Sequence, residues 1–168
     1  VADAMTPETI LVTLTSASNE IGTIEPIAEI AKLTREKKIV FHTDAVQTAG
    51  IIPVDVKALG VDALTLSANQ FYGPTGVAAL YLKKGTRIIP YMIGGMQEEG
   101  KRAGTHNIAG IAGMGKAAEI AAQEMNDTNI RLAKLRDKIL KILPERIPDF
   151  FVTGHPTQRL PGHASGCA

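Results

Sequence analysis

Ala63-Leu64-Thr65-Leu66-Ser67, the loop Ala68 to Gly76, and Val77-Ala78-Ala79-Leu80-Tyr81-Leu82 form the stretch that settles the topology. Both flanks are short, apolar runs bounded by turn residues, which reads as two strands. A parallel crossover needs a dozen or more residues, and the loop is shorter than that. The second flank therefore runs antiparallel to the first.

Working outward, Thr9-Ile10-Leu11-Val12-Thr13-Leu14-Thr15 is β-branched and apolar and suits a strand buried on both faces. Pro26 sits where a first helical residue belongs. Behind it Ile27, Ile30, Ala31 and Leu33 recur at helical spacing, up to a charged exit from Arg35 to Lys38. Ile39-Val40-Phe41-His42-Thr43-Asp44 is the next strand. The order strand, helix, strand makes a right-handed parallel crossover the default. Asp55 to Leu59 gives a short helix closed by Gly60. Beyond Gly104 lies a long helical region in which Leu132, Leu135, Ile139 and Ile142 form a stripe toward the body of the domain. Asn126-Asp127-Thr128-Asn129 weakens that helix, Pro144 ends it, and Phe150-Phe151-Val152-Thr153 opens one more strand. The fold class is α/β, a mainly parallel sheet with flanking helices.

With 168 residues, 45% of them apolar, and a formal net charge of +1, the chain fits one domain with a real core. That balance suggests neither disorder, nor a basic nucleic-acid surface, nor an acidic tail. No apolar run approaches the ~20 residues a bilayer span requires, so no membrane role is expected. The single cysteine, Cys167, rules out an intrachain disulfide framework and fits a reducing, cytoplasmic setting. The chain opens at Val1 and stops within Gly162 to Ala168, in what reads as the middle of an element. It is expected to be a piece of a longer protein.

Ligands of open parallel sheets bind beyond the carboxyl ends of the strands. Three such ends carry polar groups here: Ser18-Asn19-Glu20 after the first strand, Asp44 and Gln47 after the second, Ser67, Asn69 and Gln70 after the third. The expectation is one cavity holding Asn19, Asp44, Gln47 and Ser67, with Gln70 pointing into it. His42 precedes Asp44 by two residues on the same strand, so both point to one face, where His42 packs. A Thr105 just ahead of a helix is both a cap and an anion ligand. No residue is assigned as a metal ligand.

His42-Thr43-Asp44-Ala45-Val46-Gln47 and Ser67-Ala68-Asn69-Gln70-Phe71-Tyr72-Gly73-Pro74-Thr75-Gly76 closely resemble the pyridoxal phosphate site of the NifS/IscS-type cysteine desulfurases, of the class V aminotransferase family. The resemblance runs from about Thr6 to Pro161. It implies fold type I, with residues 1–145 as part of the large cofactor-binding domain and 146–168 as the start of a small C-terminal domain. It also assigns roles. Asn19 and Gln47 approach the phenolic oxygen, Asp44 pairs with the pyridine nitrogen, and Ser67 holds the phosphate. Thr105, in a glycine-rich loop from Gly94, reaches the phosphate of the other subunit in a homodimer.

Asn69-Gln70 stands where the family has a His-Lys pair, and that lysine carries the cofactor covalently. Gln70 is neutral and no nucleophile. The resemblance places the persulfide-forming cysteine farther along than this sequence extends, puts Cys167 in a small-domain strand, and puts the ring-stacking residue upstream of Val1. By that reading this chain alone is inactive. The family takes L-cysteine as substrate and passes its sulfur to an acceptor or an iron–sulfur scaffold protein. Two readings stay open: a part of such an enzyme, or a non-catalytic homologue acting as a binding scaffold in sulfur or iron–sulfur assembly. A nucleotide-binding domain fits poorly, because no glycine-rich phosphate motif follows the first strand.

Overall fold

The computed structural model describes residues 1–168. Four strands form one sheet in sequence order: β1 (Leu11–Thr15), β2 (Val40–Asp44), β3 (Ala63–Ser67) and β4 (Ala78–Leu82). β1, β2 and β3 are parallel neighbours, and β4 returns antiparallel to β3, as the short loop requires. Helix α1 (Ile27–Glu36) and the single turn α2 (Val56–Leu59) provide the crossovers. Asp55 caps α2 by accepting from Lys57 N at 2.7 Å and Ala58 N at 3.2 Å.

The two sheet faces differ in chemistry. One carries Val12, Leu14, Phe41, Leu64, Leu66 and Tyr81, which pack with Ile27, Ile30 and Ala31 of α1 into the main core. Phe41 and Leu64 are fully buried there, and each such side chain contributes about 1.5–3 kcal/mol. Thr34 rather than Leu33 takes the fourth inward position of α1. Its hydroxyl is satisfied by Ala31 O at 3.1 Å, so the smaller polar residue is tolerated. The opposite face carries Thr13, Thr15, His42, Asp44 and Thr65. The expectation that β1 is buried on both faces is not met. It is an edge strand, and Leu11, Thr13 and Thr15 are exposed.

Helix α3 (Ile108–Arg146) is one rod, against the expected weak point and stop. Asn129, in the polar stretch, donates from Nδ2 to Ile51 O at 2.6 Å, so a tertiary bond supports the helix where propensity is lowest. Pro144 lies in the last turn, where a missing N–H costs only the bond to a carbonyl near the helix end. The stripe is also rotated. Of the expected stripe Leu135 and Ile139 are exposed, while Leu132 and Ile142 are partly buried together with Ala133, Arg136, Leu140 and Leu143. The first half of α3 packs Met114, Ala117 and Ala121 onto a second cluster of Ala49, Ala68, Phe71 and Val77. Beyond α3, β5 (Phe151–Val152) pairs antiparallel with β6 (Gly166–Cys167), which places Cys167 in a strand. No helix is long and apolar enough to cross a membrane.

Candidate functional site

The carboxyl ends of β2 and β3 frame the site. Asp44 stands opposite Thr65, and Ser67 lies two residues beyond Thr65, so Asp44 and Ser67 project from the same face. Just past β2 the chain turns sharply. Val46 N donates to Asp44 Oδ1 at 2.9 Å, the one hydrogen bond this half-buried carboxylate accepts.

Two buried hydroxyls that sequence reasoning passed over hold the turn. Ser16 Oγ donates to Asp44 O at 2.9 Å and lies 2.7 Å from Thr48 Oγ1. Thr48 Oγ1 donates in turn to Ala45 O at 3.2 Å. Hydroxyls at Ser16, just after a strand, and at Thr48, next to Gln47, were the only sequence signal. Alone, neither distinguishes a buried brace from an ordinary turn residue.

Behind Asp44 on the same face, His42 Nδ1 meets Thr13 Oγ1 at 2.7 Å. Burial lowers the imidazole below its usual pKa, and the nearby Asp44 carboxylate pulls the other way without cancelling the effect.

After β3, the turn Ala68–Phe71 carries Asn69 and Gln70. It is pinned at both ends, by Ala68 N to Val77 O at 3.0 Å and Gly73 N to Ala68 O at 2.8 Å. Tyr72 then takes a left-handed conformation at φ 64°, a cost of order 1 kcal/mol that the pinned loop sustains. Ser67 Oγ donates to Asn69 Oδ1 at 2.5 Å, so the residue beside position 70 engages the hydroxyl assigned to a phosphate.

A cavity of ≈ 320 Å³ opens between this turn, the Gln47–Ile51 turn, the middle of α3 and residues 160–163. Gln47 and Gln70 both line it, with Phe71, Leu132 and Leu160 among the apolar walls. Of the five residues expected to share one cavity, this one takes Gln47 and Gln70. Asp44, Ser67 and Asn19 lie outside this lining, because the first two project from the sheet face and Asn19 sits on an exposed loop. There Asn19 Nδ2 donates to Glu20 Oε1 at 2.8 Å. Thr105 is exposed and also outside the cavity, and it is not the cap of α3. Asn107 is, with Oδ1 accepting from Gly110 N at 3.0 Å. Glu98, held at φ 51°, binds His106 Nε2 at 2.8 Å across the same loop.

The donor set suits pyridoxal phosphate in kind. A lightly bonded carboxylate at Asp44 matches a ring N–H, the Gln47 amide matches an oxyanion, and the Ser67 hydroxyl, here donated to Asn69 Oδ1, would serve a phosphate by turning away from that amide. It does not suit covalent attachment at position 70, where the side chain is a neutral amide.

The chain matches the aminotransferase class-V family over residues 1–165. It is 54% identical to a cysteine desulfurase IscS of Dictyoglomus turgidum over 160 residues, covering 95% of this chain and 41% of that protein. An IscS of Methanosarcina thermophila is 50% identical, over 94% of this chain and 39% of its own length. Among solved structures, a NifS-like protein superposes at a TM-score of 0.92 with 36% identity, over 98% of this chain and 45% of that one. A NifS-like protein from Rickettsia africae gives 0.85 with 38% identity, over 90% and 42%. The chain thus spans about two fifths of the length of these curated relatives.

Proposed function

This chain belongs to the aminotransferase class-V family, and from that membership we propose that it is the cofactor-holding part of a cysteine desulfurase-like protein. The observation that carries the reading is the shared sheet face of Asp44 and Ser67, with the Gln47 turn braced beside them. Residues 1–145 act as part of the large domain and 146–168 begin a small one, a division supported by the separate two-stranded sheet of β5 and β6.

Pyridoxal phosphate, when bound, withdraws electrons from the Cα of an amino acid, here L-cysteine. The chain's own residues set that up. The Asp44 carboxylate holds a proton on the pyridine nitrogen, since an adjacent negative charge favours the protonated ring. Gln47 donates its amide N–H to the phenolic oxygen, and Asn19 approaches the same atom. Ser67, with Asn69 beside it, takes the phosphate. Gln70 offers no amine, so binding is noncovalent and this chain moves no proton at Cα.

Thr105 serves the partner's phosphate in a homodimer. Supporting that assembly, Ile89, Tyr91 and Ile93, just before the glycine-rich loop, are each more than nine-tenths exposed. Apolar side chains this open and this close together mark a surface that another body covers, and a second copy is the occupant this reading assigns to it. The sulfur released by the whole protein passes to an acceptor or an iron–sulfur scaffold protein in the cytoplasm. Gln70 also favours a second reading, in which the protein is a non-catalytic homologue that binds those partners as a scaffold.

Equilibrium dialysis against pyridoxal phosphate tests the first reading. Reversible binding that is weakened at least about tenfold by Asp44→Ala and by Ser67→Ala is expected, removal of a charge-assisted bond costing about 1.5–3 kcal/mol. No saturable binding, with the protein folded, would leave the scaffold reading in its place.

A further inference from the structure

Arg159 is 4% exposed, yet no carboxylate pairs with it. Its guanidinium is spent on backbone carbonyls. Nε donates to His155 O at 2.9 Å, Nη1 to His163 O at 3.3 Å, and Nη2 to Thr153 O. The nearest cation, Arg136, is paired with Asp137 at 2.8 Å and donates to Leu160 O at 3.4 Å. Burying a cation without a counter-ion is unfavourable unless hydrogen bonds compensate. Only a planar, multi-donor cation gathers three carbonyl dipoles that would otherwise repel one another. A residue kept on those terms has a task beyond filling space.

The task is visible in what the gathered segment touches. Residues 153–165 lie along the turn that carries Asn19. Arg159 and Thr23 form an antiparallel bridge. Ile24 N donates to Gln158 O at 2.9 Å, and Leu160 N to Gly22 O at 2.9 Å. His155 N donates to Thr23 Oγ1 at 2.9 Å, and His163 Nε2 meets Glu20 O at 3.1 Å. Two glycines permit the approach. Gly22 (φ 71°) faces the His163 ring, and Gly154 (φ 79°) faces Ile21 O and the Arg159 guanidinium, with no room for a Cβ at either. The same segment supplies Leu160, Gly162 and His163 to the wall of the cavity that Gln47 and Gln70 line.

Asn19 is exposed and its side chain is bonded only to the neighbouring Glu20, while the turn is closed on itself by Gly22 N to Ser18 O at 3.0 Å and Ser18 N to Thr23 O at 2.9 Å, so what docks this closed turn against the rest of the fold sets where Asn19 stands. We propose that Arg159 is a positioning residue for the cofactor site. By drawing Thr153, His155 and His163 together it clamps residues 153–165 against the 17–24 turn and so sets the place of Asn19. This rests on the reading of Asn19 as a cofactor contact. Its consequence is that the segment after α3 and the cofactor site respond to each other through one buried guanidinium.

Two measurements on the 168-residue chain test this, with Arg159→Met and, as a milder change that keeps the charge, Arg159→Lys. In hydrogen exchange without ligand, the Ile24 and Leu160 amides should exchange at least tenfold faster in Arg159→Met, while Phe41 and Leu64 in the sheet stay unchanged. Arg159→Lys should show the same pattern, smaller. Uniform acceleration across the sheet, or no change at the turn, overturns the clamp. For affinity, the pyridoxal phosphate dissociation constant should rise about tenfold in Arg159→Met, within the usual range of coupled neighbours. In an Asn19→Ala background, Arg159→Met should add less than twofold. A full tenfold loss in that background overturns action through Asn19. If the unaltered chain binds no pyridoxal phosphate, the functional reading fails, and the exchange result still decides whether Arg159 clamps the turn.

Discussion

Replacing Gln70 with lysine asks whether the wall around position 70 still serves the chemistry its relatives perform. Gln70 is half-buried and lines a cavity of ≈ 320 Å³, so the longer side chain extends into open space instead of overpacking a core. The apolar neighbours Phe71 and Ile51 make the cationic form costly there. Full burial shifts an amine by several kcal/mol, so half-burial is worth about 2 kcal/mol in favour of the free base. At 1.36 kcal/mol per factor of ten, that raises the reactive amine fraction about 30-fold over a solvated lysine at the same pH. The internal standards are Lys38 and Lys84, both exposed. After incubation of Gln70→Lys with pyridoxal phosphate and borohydride reduction, peptide mapping should find position 70 labelled at least about tenfold faster than either standard. The unaltered chain should show only the slow surface labelling. Adding Ser67→Ala should cut the excess, because the phosphate anchor is gone. Labelling at position 70 no faster than at Lys84 would refute the reasoning, since the cavity would then be disconnected from the phosphate site.

Three further outcomes follow from the geometry. Burial depresses His42, so the unfolded chain takes up its proton near pH 6.5 and the folded chain only at lower pH. Stability is therefore full above about pH 6.5 and falls as the pH drops below it, because the unfolded state then binds more protons; thermal midpoints between pH 7.5 and 5 should fall less in His42→Gln, and equal falls would remove His42 as the cause. Asp55→Ala removes the cap on α2 and should lower stability by about 1 kcal/mol, or about 2–4 °C in the midpoint, which calorimetry reads directly. Ile93→Glu places a charge in the open apolar stretch before the glycine-rich loop and should turn a dimer into monomers in sedimentation equilibrium; an unaltered chain already monomeric at tens of micromolar would count against the second copy.

Local chemistry made much of the fold legible in the sequence. The loop after Ser67 is too short for a crossover, so β4 had to turn back, and Asp55 and Gly60 bracket α2 with their own cap and stop signals. The common face of Asp44 and Ser67 follows from the two-residue period of strands once β2 and β3 are neighbours. Other features depend on groups far apart in the chain, and local patterns carry no trace of them. Asn129 keeps α3 intact because Ile51 O lies across from it, and no reading of residues 126–129 contains that carbonyl. Leu135 and Ile139 face outward because docking on the Phe71 cluster sets the rotation of α3, which a stripe at helical spacing leaves undetermined. Gln47 and Gln70 share a cavity that Asp44 and Asn19 do not line, because the cavity is closed by α3 and residues 160–163 rather than by the strand ends. Arg159 reads in the sequence as an ordinary surface charge. Only the folded chain brings three carbonyls around it and excludes water, since hydrogen-bond geometry is fixed by the meeting of segments, whereas propensity and periodicity act within one.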